Sequence, residues 1–235
     1  MIESFSQPIA VKIHAPNFGL LVESSHYMHI RAAQQLAEQF CVGFDESFDE
    51  RIKNLNQHRA DDVNFDVFLE DAITREIKNV ARQVVVANHV LFGFASHHRL
   101  PYTIAKQIGS SIYLASAGKH RIFVVDGDDE SVLDVDAHIN GLNMDAISDI
   151  KRKEQAMRTG DISVHRFSVD SDDCVVMLSE DASRHLSTQI IRSLMDRAET
   201  IDTFENELEL HANVARRESE ESSMNEIAAL VMKIV

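Results

Sequence analysis

The sequence is poor in cysteine, in basic residues, in linker-forming residues and in long apolar runs, and each shortage excludes something. There are two cysteines in 235 residues. Cys41 and Cys174 stand far apart in apolar contexts and match no metal or redox spacing, so they read as buried free thiols in a reducing compartment. Basic residues number 23 against 38 acidic ones, a formal net charge of −15. A surface of that sign repels phosphate backbones and excludes nucleic acid as a partner. The acid is spread out, apart from one local cluster at Glu218 to Glu221, and reads as a solvated surface. No apolar run approaches the ~20 residues of a membrane span. Met1 to Gln7 lacks the basic-then-apolar pattern of a signal peptide, so the expectation is a cytoplasmic protein without a membrane partner. Three prolines and eight glycines form no linker, and no internal repeat is visible. Residues 1–235 are therefore expected to make a single domain. The hydrophobic fraction of 44% is enough for a sizeable core without staples.

Strand patterns frame the chain. Ile112 to Val125 reads as two short strands joined at Gly118, with Ile112, Leu114 and Ser116 alternating against Tyr113, Ala115 and Ala117. Pro8 to Ala15 and Phe18 to Glu23 predict a hairpin turned at Pro16-Asn17. Tyr102 to Ile108 and Ser111 to Ala117 predict another, turned at Gly109-Ser110. Further strands are expected at Arg121 to Val125, Val132 to Val135, Ile162 to Val169, Cys174 to Leu178 and Glu226 to Val235. Asp126-Gly127-Asp128-Asp129 and Asp170 to Asp173 are turn signals.

Helices are expected from His26 to Cys41, after the Ser24-Ser25 cap, and from Phe65 to about Ala95, where Gln83 to Val90 competes as a strand. Gly43 to Arg59 reads as a loop or short helix. Two more helices are expected near the end, from Ser183 to about Glu199 and from about Asp202 to Arg216. Strands and helices come in blocks, so the class is α+β, with helices packed on antiparallel sheet.

Four segments, in order, carry a resemblance: FGLLVESSHYMHIRAAQQLAEQF (Phe18 to Phe40), YTIAKQIGSSIYLASAGKHRIFVV (Tyr102 to Val125), DDCVVMLSEDASRHLS (Asp172 to Ser187) and ARRESEESSMNEIAALVMKIV (Ala215 to Val235). Together they resemble the metal-dependent protein phosphatases of the protein phosphatase 2C type (PPM), including their SpoIIE-like relatives. The resemblance implies a four-layer α-β-β-α sandwich, two antiparallel sheets flanked by helix pairs. It implies hydrolysis of phosphoserine or phosphothreonine by a water held between two Mg²⁺ or Mn²⁺ ions.

Residue by residue, the resemblance places Glu23 where the family has a metal-binding Asp and Ser24 where it has a Gly whose carbonyl binds metal. Thr103, Ala115, Gly118 and Arg121 match the family pattern, whereas Lys119 replaces an Asp. Ser179 matches. Glu180 replaces a second metal-binding Asp and Asp181 the Gly after it. Asn225 stands at the last metal-binding Asp, followed by Glu226. The family's early Arg and its Asn-Glu-Asp motif have no counterpart in Met1 to Asn17.

Hard divalent ions want carboxylate oxygens. Glu23 and Glu180 keep them but add a methylene each, Asn225 loses the charge, and Lys119 adds a positive one. A shift of ~1 Å at a catalytic metal can cost about 10²-fold in rate. The expectation is a catalytically impaired pseudophosphatase. It would carry no metal cofactor and would bind another protein, such as a phosphoprotein or a kinase-pathway component. Two alternatives stand beside it. One is a divergent active serine/threonine phosphatase using Mg²⁺ or Mn²⁺ on Glu23, Glu180 and Asp181. The other is an unrelated α+β protein.

Other candidates are weaker. His120, beside Gly118, lies near the expected cleft. Of the twelve histidines, His26 and His29 sit at helical spacing and His97 and His98 are adjacent, but no third ligand at a diagnostic spacing makes a Zn²⁺ site. Asp126 to Glu130 lacks the full Ca²⁺ loop. No Gly-x-Ser-x-Gly elbow accompanies Ser24 and His26. Residues 138–160 correspond to the family's variable flap. Within them Lys151, Arg152 and Lys153 lie beside Leu142, Met144, Ile147 and Ile150. That basic amphipathic stretch reads either as an ordinary packed helix or as a surface for a protein partner.

Overall fold

The computed structural model describes residues 9–15, 17–24, 102–117, 119–128, 131–135, 164–219 and 226–235. The expected helices at His26 to Cys41 and Phe65 to Ala95, and the whole of 138–160, lie outside the described residues.

Alternation and turn chemistry set the strands. β1 (Ile9–Ala15) and β2 (Phe18–Ser24) form the first hairpin, turned at Asn17, which takes a positive φ of 67°. Asn tolerates that region because its short polar side chain can hydrogen-bond locally. β3 (Tyr102–Ile108) and β4 (Ser111–Ala117) form the second, with Gly109 at φ 56° where a side chain would be strained. β5 (Arg121–Val125), β6 (Val132–Asp134), β7 (Val164–Ser168), β8 (Cys174–Leu178) and β9 (Ala229–Lys233) complete two sheets. The first has the order β1-β2-β3-β4-β7 and the second β6-β5-β8-β9, with every pairing antiparallel.

The sheets pack face to face. Leu21, Ala105, Ile112 and Leu114 of the first meet Ile122, Val124, Val175, Met177, Leu230 and Met232 of the second. Gly19 lies on this inner face. A Cβ there would come within 2.6 Å of the Met177 methyl, so its lack of a side chain lets β2 and β8 approach. The outer face of the second sheet carries Phe123, Val125, Val176, Leu178 and Val231, and three helices cover it. These are α1 (Glu180–His185), α2 (Thr188–Met195) and α3 (Ile201–Glu218). The architecture is α+β with two antiparallel sheets, as the element order predicts. On the first sheet's other face Phe18, Leu20 and Ile104 are also fully buried.

One expected element is corrected. The helix predicted from Ser183 to Glu199 is two helices, and the first begins earlier, at Glu180. The break lies at Leu186 and Ser187, both extended. The Ser187 hydroxyl accepts the Ile190 N–H at 3.3 Å and starts α2 afresh. Apolar spacing continues through the break, since Leu186, Ile191 and Leu194 are all buried in one core. Periodicity alone therefore cannot reveal it. Ser187→Ala is expected to cost about 1 kcal/mol in chemical denaturation, the usual loss for an N-cap hydroxyl. Boundaries also shorten: the strand expected to end at Val169 ends at Ser168, Val132 to Val135 becomes Val132–Asp134, and Glu226 to Val235 becomes Ala229–Lys233, while Ile162 lies outside the described residues.

The edge of β9 is closed in an unusual way. Its outward Val231 N–H donates to Glu205 Oε2 at 2.8 Å, and its Ala229 N–H to Glu209 Oε1 at 3.0 Å. Glutamates four apart on a helix rise ~6 Å, and alternate strand residues are ~6.6 Å apart, so α3 presents acceptors in register with the strand's free donors. The same two carboxylates hold Lys12 Nζ of β1, at 2.6 and 2.9 Å. Beside them the Ala10 N–H of β1 donates to Glu226 Oε2 at 2.5 Å. α3 thus closes the β9 edge and ties it to β1 through Lys12.

Candidate functional site

The antiparallel topology brings one end of β2, β3, β5, β8 and β9 together. Glu23 lies at the end of β2, on the same inward face as Leu21. Glu180 opens α1 directly after β8. Their meeting is direct: Glu23 Oε1 accepts the Glu180 backbone N–H at 3.2 Å. A carboxylate from the first sheet thereby caps the N-terminal turn of a helix on the second, where the helix dipole favours negative charge.

His120, just before β5, completes this contact. Its side chain is fully buried, and its Nε2 stands 3.5 Å from Glu23 Oε1 without a hydrogen-bond partner. Its Nδ1 lies 3.1 Å from Thr103 Oγ1 of β3. Thr103 pairs with Leu21 and shares the inward face, which places it beneath Glu23.

On the outer side of Glu180, one oxygen takes two cations. Lys119 Nζ donates to Glu180 Oε1 at 3.0 Å, and the Arg184 guanidinium donates to the same atom from one helical turn on. Arg184 also reaches Asp181 Oδ1 at 3.6 Å. Asp181 is 1% exposed.

Ser179 fastens the base of the site. Its Oγ accepts the N–H of Ala182 at 3.3 Å and of Ala228 at 3.0 Å, and donates to the Glu226 carbonyl at 3.3 Å. The hydroxyl caps α1 and pins the entry of β9.

The structure therefore brings together Glu23, Glu180, Asp181, Lys119 and His120 from among the sequence candidates. Ser24 ends β2, paired with Ile9. Asn225, Gly118, Lys151, Arg152 and Lys153 lie outside the described residues. Arg121 turns away from the site, pairing with Asp134 and stacking over Phe123 at 5.1 Å. Arg184 was not a sequence candidate. The i, i+4 spacing of Glu180 and Arg184 was the available signal, hidden by placing the helix start at Ser183. Cys174 is buried, with its thiol pushed up to about 11 by desolvation, as an inert cysteine should be. Asp126 accepts the Asp128 N–H within its own turn.

No protein-family model and no curated protein matches the chain. Solved structures do. The serine/threonine phosphatase PstP/Ppp of Mycobacterium tuberculosis superposes with a TM-score of 0.61 at 11% identity, over 98% of this chain and 92% of that one. The chain has the fold of the PPM-type serine/threonine phosphatases. A catalytic domain of PstP in complex with two manganese ions gives 0.59 at 12% identity, over 98% and 92%. The PPM phosphatase MsPP of Mycobacterium smegmatis, in complex with cacodylate, gives 0.57 at 12%, over 100% and 94%.

A phosphatase fold raises the question of a metal pair, and the described residues are not arranged to hold one. Among them, no three His, Cys, Asp or Glu side chains group as ligands. The Glu23 oxygen nearest Glu180 is spent on a backbone N–H, and a Glu180 oxygen on two side-chain cations. No helix among the described residues is long and apolar enough to cross a membrane.

Proposed function

We propose that this chain is a catalytically impaired phosphatase-fold domain, a pseudophosphatase, that works as a protein-binding or regulatory module. The observation that carries this reading is the Glu23 carboxylate. At the place where the resemblance puts a metal ligand, it caps α1 and faces a buried imidazole. It acts as a strut between the two sheets. Two-metal hydrolysis needs open carboxylate oxygens to fix both ions and the attacking water, and here the chain itself uses one on Glu23 and one on Glu180. The partner is a protein of a phosphorylation pathway, met through the basic stretch Lys151, Arg152 and Lys153, and the setting is the reducing cytoplasm.

The test is turnover of a generic aryl phosphate by the full chain with millimolar Mn²⁺ or Mg²⁺. The expected rate is that of metal and buffer alone. Saturable turnover that EDTA abolishes would favour the second reading, a divergent Mg²⁺- or Mn²⁺-dependent serine/threonine phosphatase. That reading draws on the contact of Glu23 with the start of α1, whose first turn carries Glu180 and Asp181. In it these carboxylates would hold the ions, which would supply an activated water.

A further inference from the structure

Among the described residues three large apolar side chains are exposed, and two of them, Leu210 at 64% and Val214 at 45%, lie one turn apart on α3. The inward side of this helix is taken up by the fold. Phe204, Leu208 and Ala212 are buried, and Glu205 and Glu209 close the β9 edge. At 3.6 residues per turn, Leu210 and Val214 project from the opposite side into solvent. Glu207 precedes Leu210 by three positions, and Arg217 follows Val214 by three. The resulting spacing of three, four and three keeps all four residues on one stripe. It also reads the same from either end, with only the sign of the charge inverted. Among the described residues neither Glu207 nor Arg217 makes an ion pair, whereas the neighbouring Arg216 is bonded to Asn213.

We infer that this stripe is a self-complementary seam on which a second copy of the chain docks, α3 against α3 and antiparallel. A two-fold axis crossing the helix at the level of Ala212 sets Leu210 against Val214 of the second copy. The same axis sets Glu207 against Arg217 of the second copy, and each contact occurs twice. Apolar residues three and four apart are the repeat that lets two helices lie side by side, and the flanking charges fix their direction. A parallel pairing in register would set Glu207 against Glu207 and Arg217 against Arg217. A different occupant would need the same spacing with the charges in this order, and the chain already carries that match to itself. The contact is one helix on one helix, at the low end of interface sizes, and the net charge of −15 opposes it. The dimer is therefore transient, with a Kd on the order of hundreds of micromolar, and dilute protein is monomeric. The seam rests on α3 alone and is independent of the pseudophosphatase reading.

Sedimentation equilibrium of the full chain tests this at physiological ionic strength, where a Debye length of about 8 Å confines the general repulsion. The series runs from about 10 μM to about 1 mM, so that it brackets the expected Kd. The native mass is expected to climb from the 26.5 kDa of the monomer towards twice that value. Leu210→Ala/Val214→Ala should raise the Kd at least about tenfold. Glu207→Arg and Arg217→Glu each set like charges against one another at both ends of the seam, so each alone is expected to stay monomeric. Mixed in equal amounts, the two variants should associate again, because every facing pair then has opposite signs. Glu207→Arg lowers the net negative charge, so general repulsion alone would predict more association for it, not less. Circular dichroism of each variant checks that α3 is intact. A native mass that stays at the monomer value overturns the inference and leaves the stripe to a different protein. Association that survives both charge inversions overturns it too, as does a loss in the single variants that mixing does not restore.

Discussion

Ser179→Ala is expected to lower stability by roughly 2–4 kcal/mol, the cost of an N-cap hydroxyl together with a buried donor left unsatisfied. The Ser179 side chain is fully buried and takes part in three hydrogen bonds. Two of its partners, the N–H groups of Ala182 and Ala228, belong to different elements, and no water can replace a hydroxyl in a fully buried position without a cavity. The third partner is the carbonyl of Glu226, whose carboxylate holds the Ala10 N–H of β1. Ala10 in turn pairs with Glu23. Loss of the hydroxyl therefore loosens a closed loop: Ser179, Glu226, Ala10, Glu23 and back to Glu180. Urea unfolding should show the midpoint fall with the m-value unchanged. A shift no larger than that of an ordinary surface substitution, ~0.5 kcal/mol or less, would show that Ser179 is not the fastening point.

Local patterns made most of the strands legible. β3 and β4 fall on the predicted residues because alternation and the Gly109-Ser110 turn are both encoded within a few positions. β8 and the β1–β2 hairpin follow for the same reason. What sequence could not supply was non-local. The pairing of β4 with β7 sets Ser111 against Ser168 across a long crossover, and nothing near either residue signals it. At the end of the chain the apolar run from Ile227 continues past the strand limits. Only the capture of Ala228 by Ser179 marks where β9 begins.

The site shows the same division. That Glu23 and Glu180 belong together was legible through the order of four family-like segments, not through spacing. That Glu23 would bond the backbone of Glu180, not wait as an open ligand, depends on a side-chain rotamer and a helix start that only three-dimensional packing decides. His120, expected near the cleft from its place beside Gly118, has a fully buried side chain set against Thr103, a partner that nothing local in the sequence signals.

Glu205→Ala/Glu209→Ala is expected to be the most damaging pair of changes on the surface of the fold. It leaves the N–H groups of Ala229 and Val231 without acceptors and Lys12 without either counter-charge. Two half-buried donors left unmade cost roughly 2–5 kcal/mol together. It also exposes a strand edge, which is a template for pairing with another chain, so size-exclusion chromatography should show new self-association. Glu205→Gln/Glu209→Gln separates the causes. It keeps an acceptor at each position and removes only charge, so its loss should be near the ~1 kcal/mol ceiling of half-exposed ion pairs, with a monomeric profile. Hydrogen exchange should accelerate at Ala229 and Val231 in the alanine pair far more than in the glutamine pair. Equal acceleration in both would show that the charge on Lys12, not the register of helix acceptors against strand donors, closes the edge. The pH dependence gives an independent sign. Burial alone would lower the Lys12 pKa, but the hydrogen bonds and charges of Glu205 and Glu209 outweigh it and hold the ammonium above its ordinary 10.5. Its contribution is therefore fully present below that value and is lost as pH rises through the higher folded-state value. In the glutamine pair the native-state pKa falls back, and the alkaline limb of stability should flatten relative to the native chain.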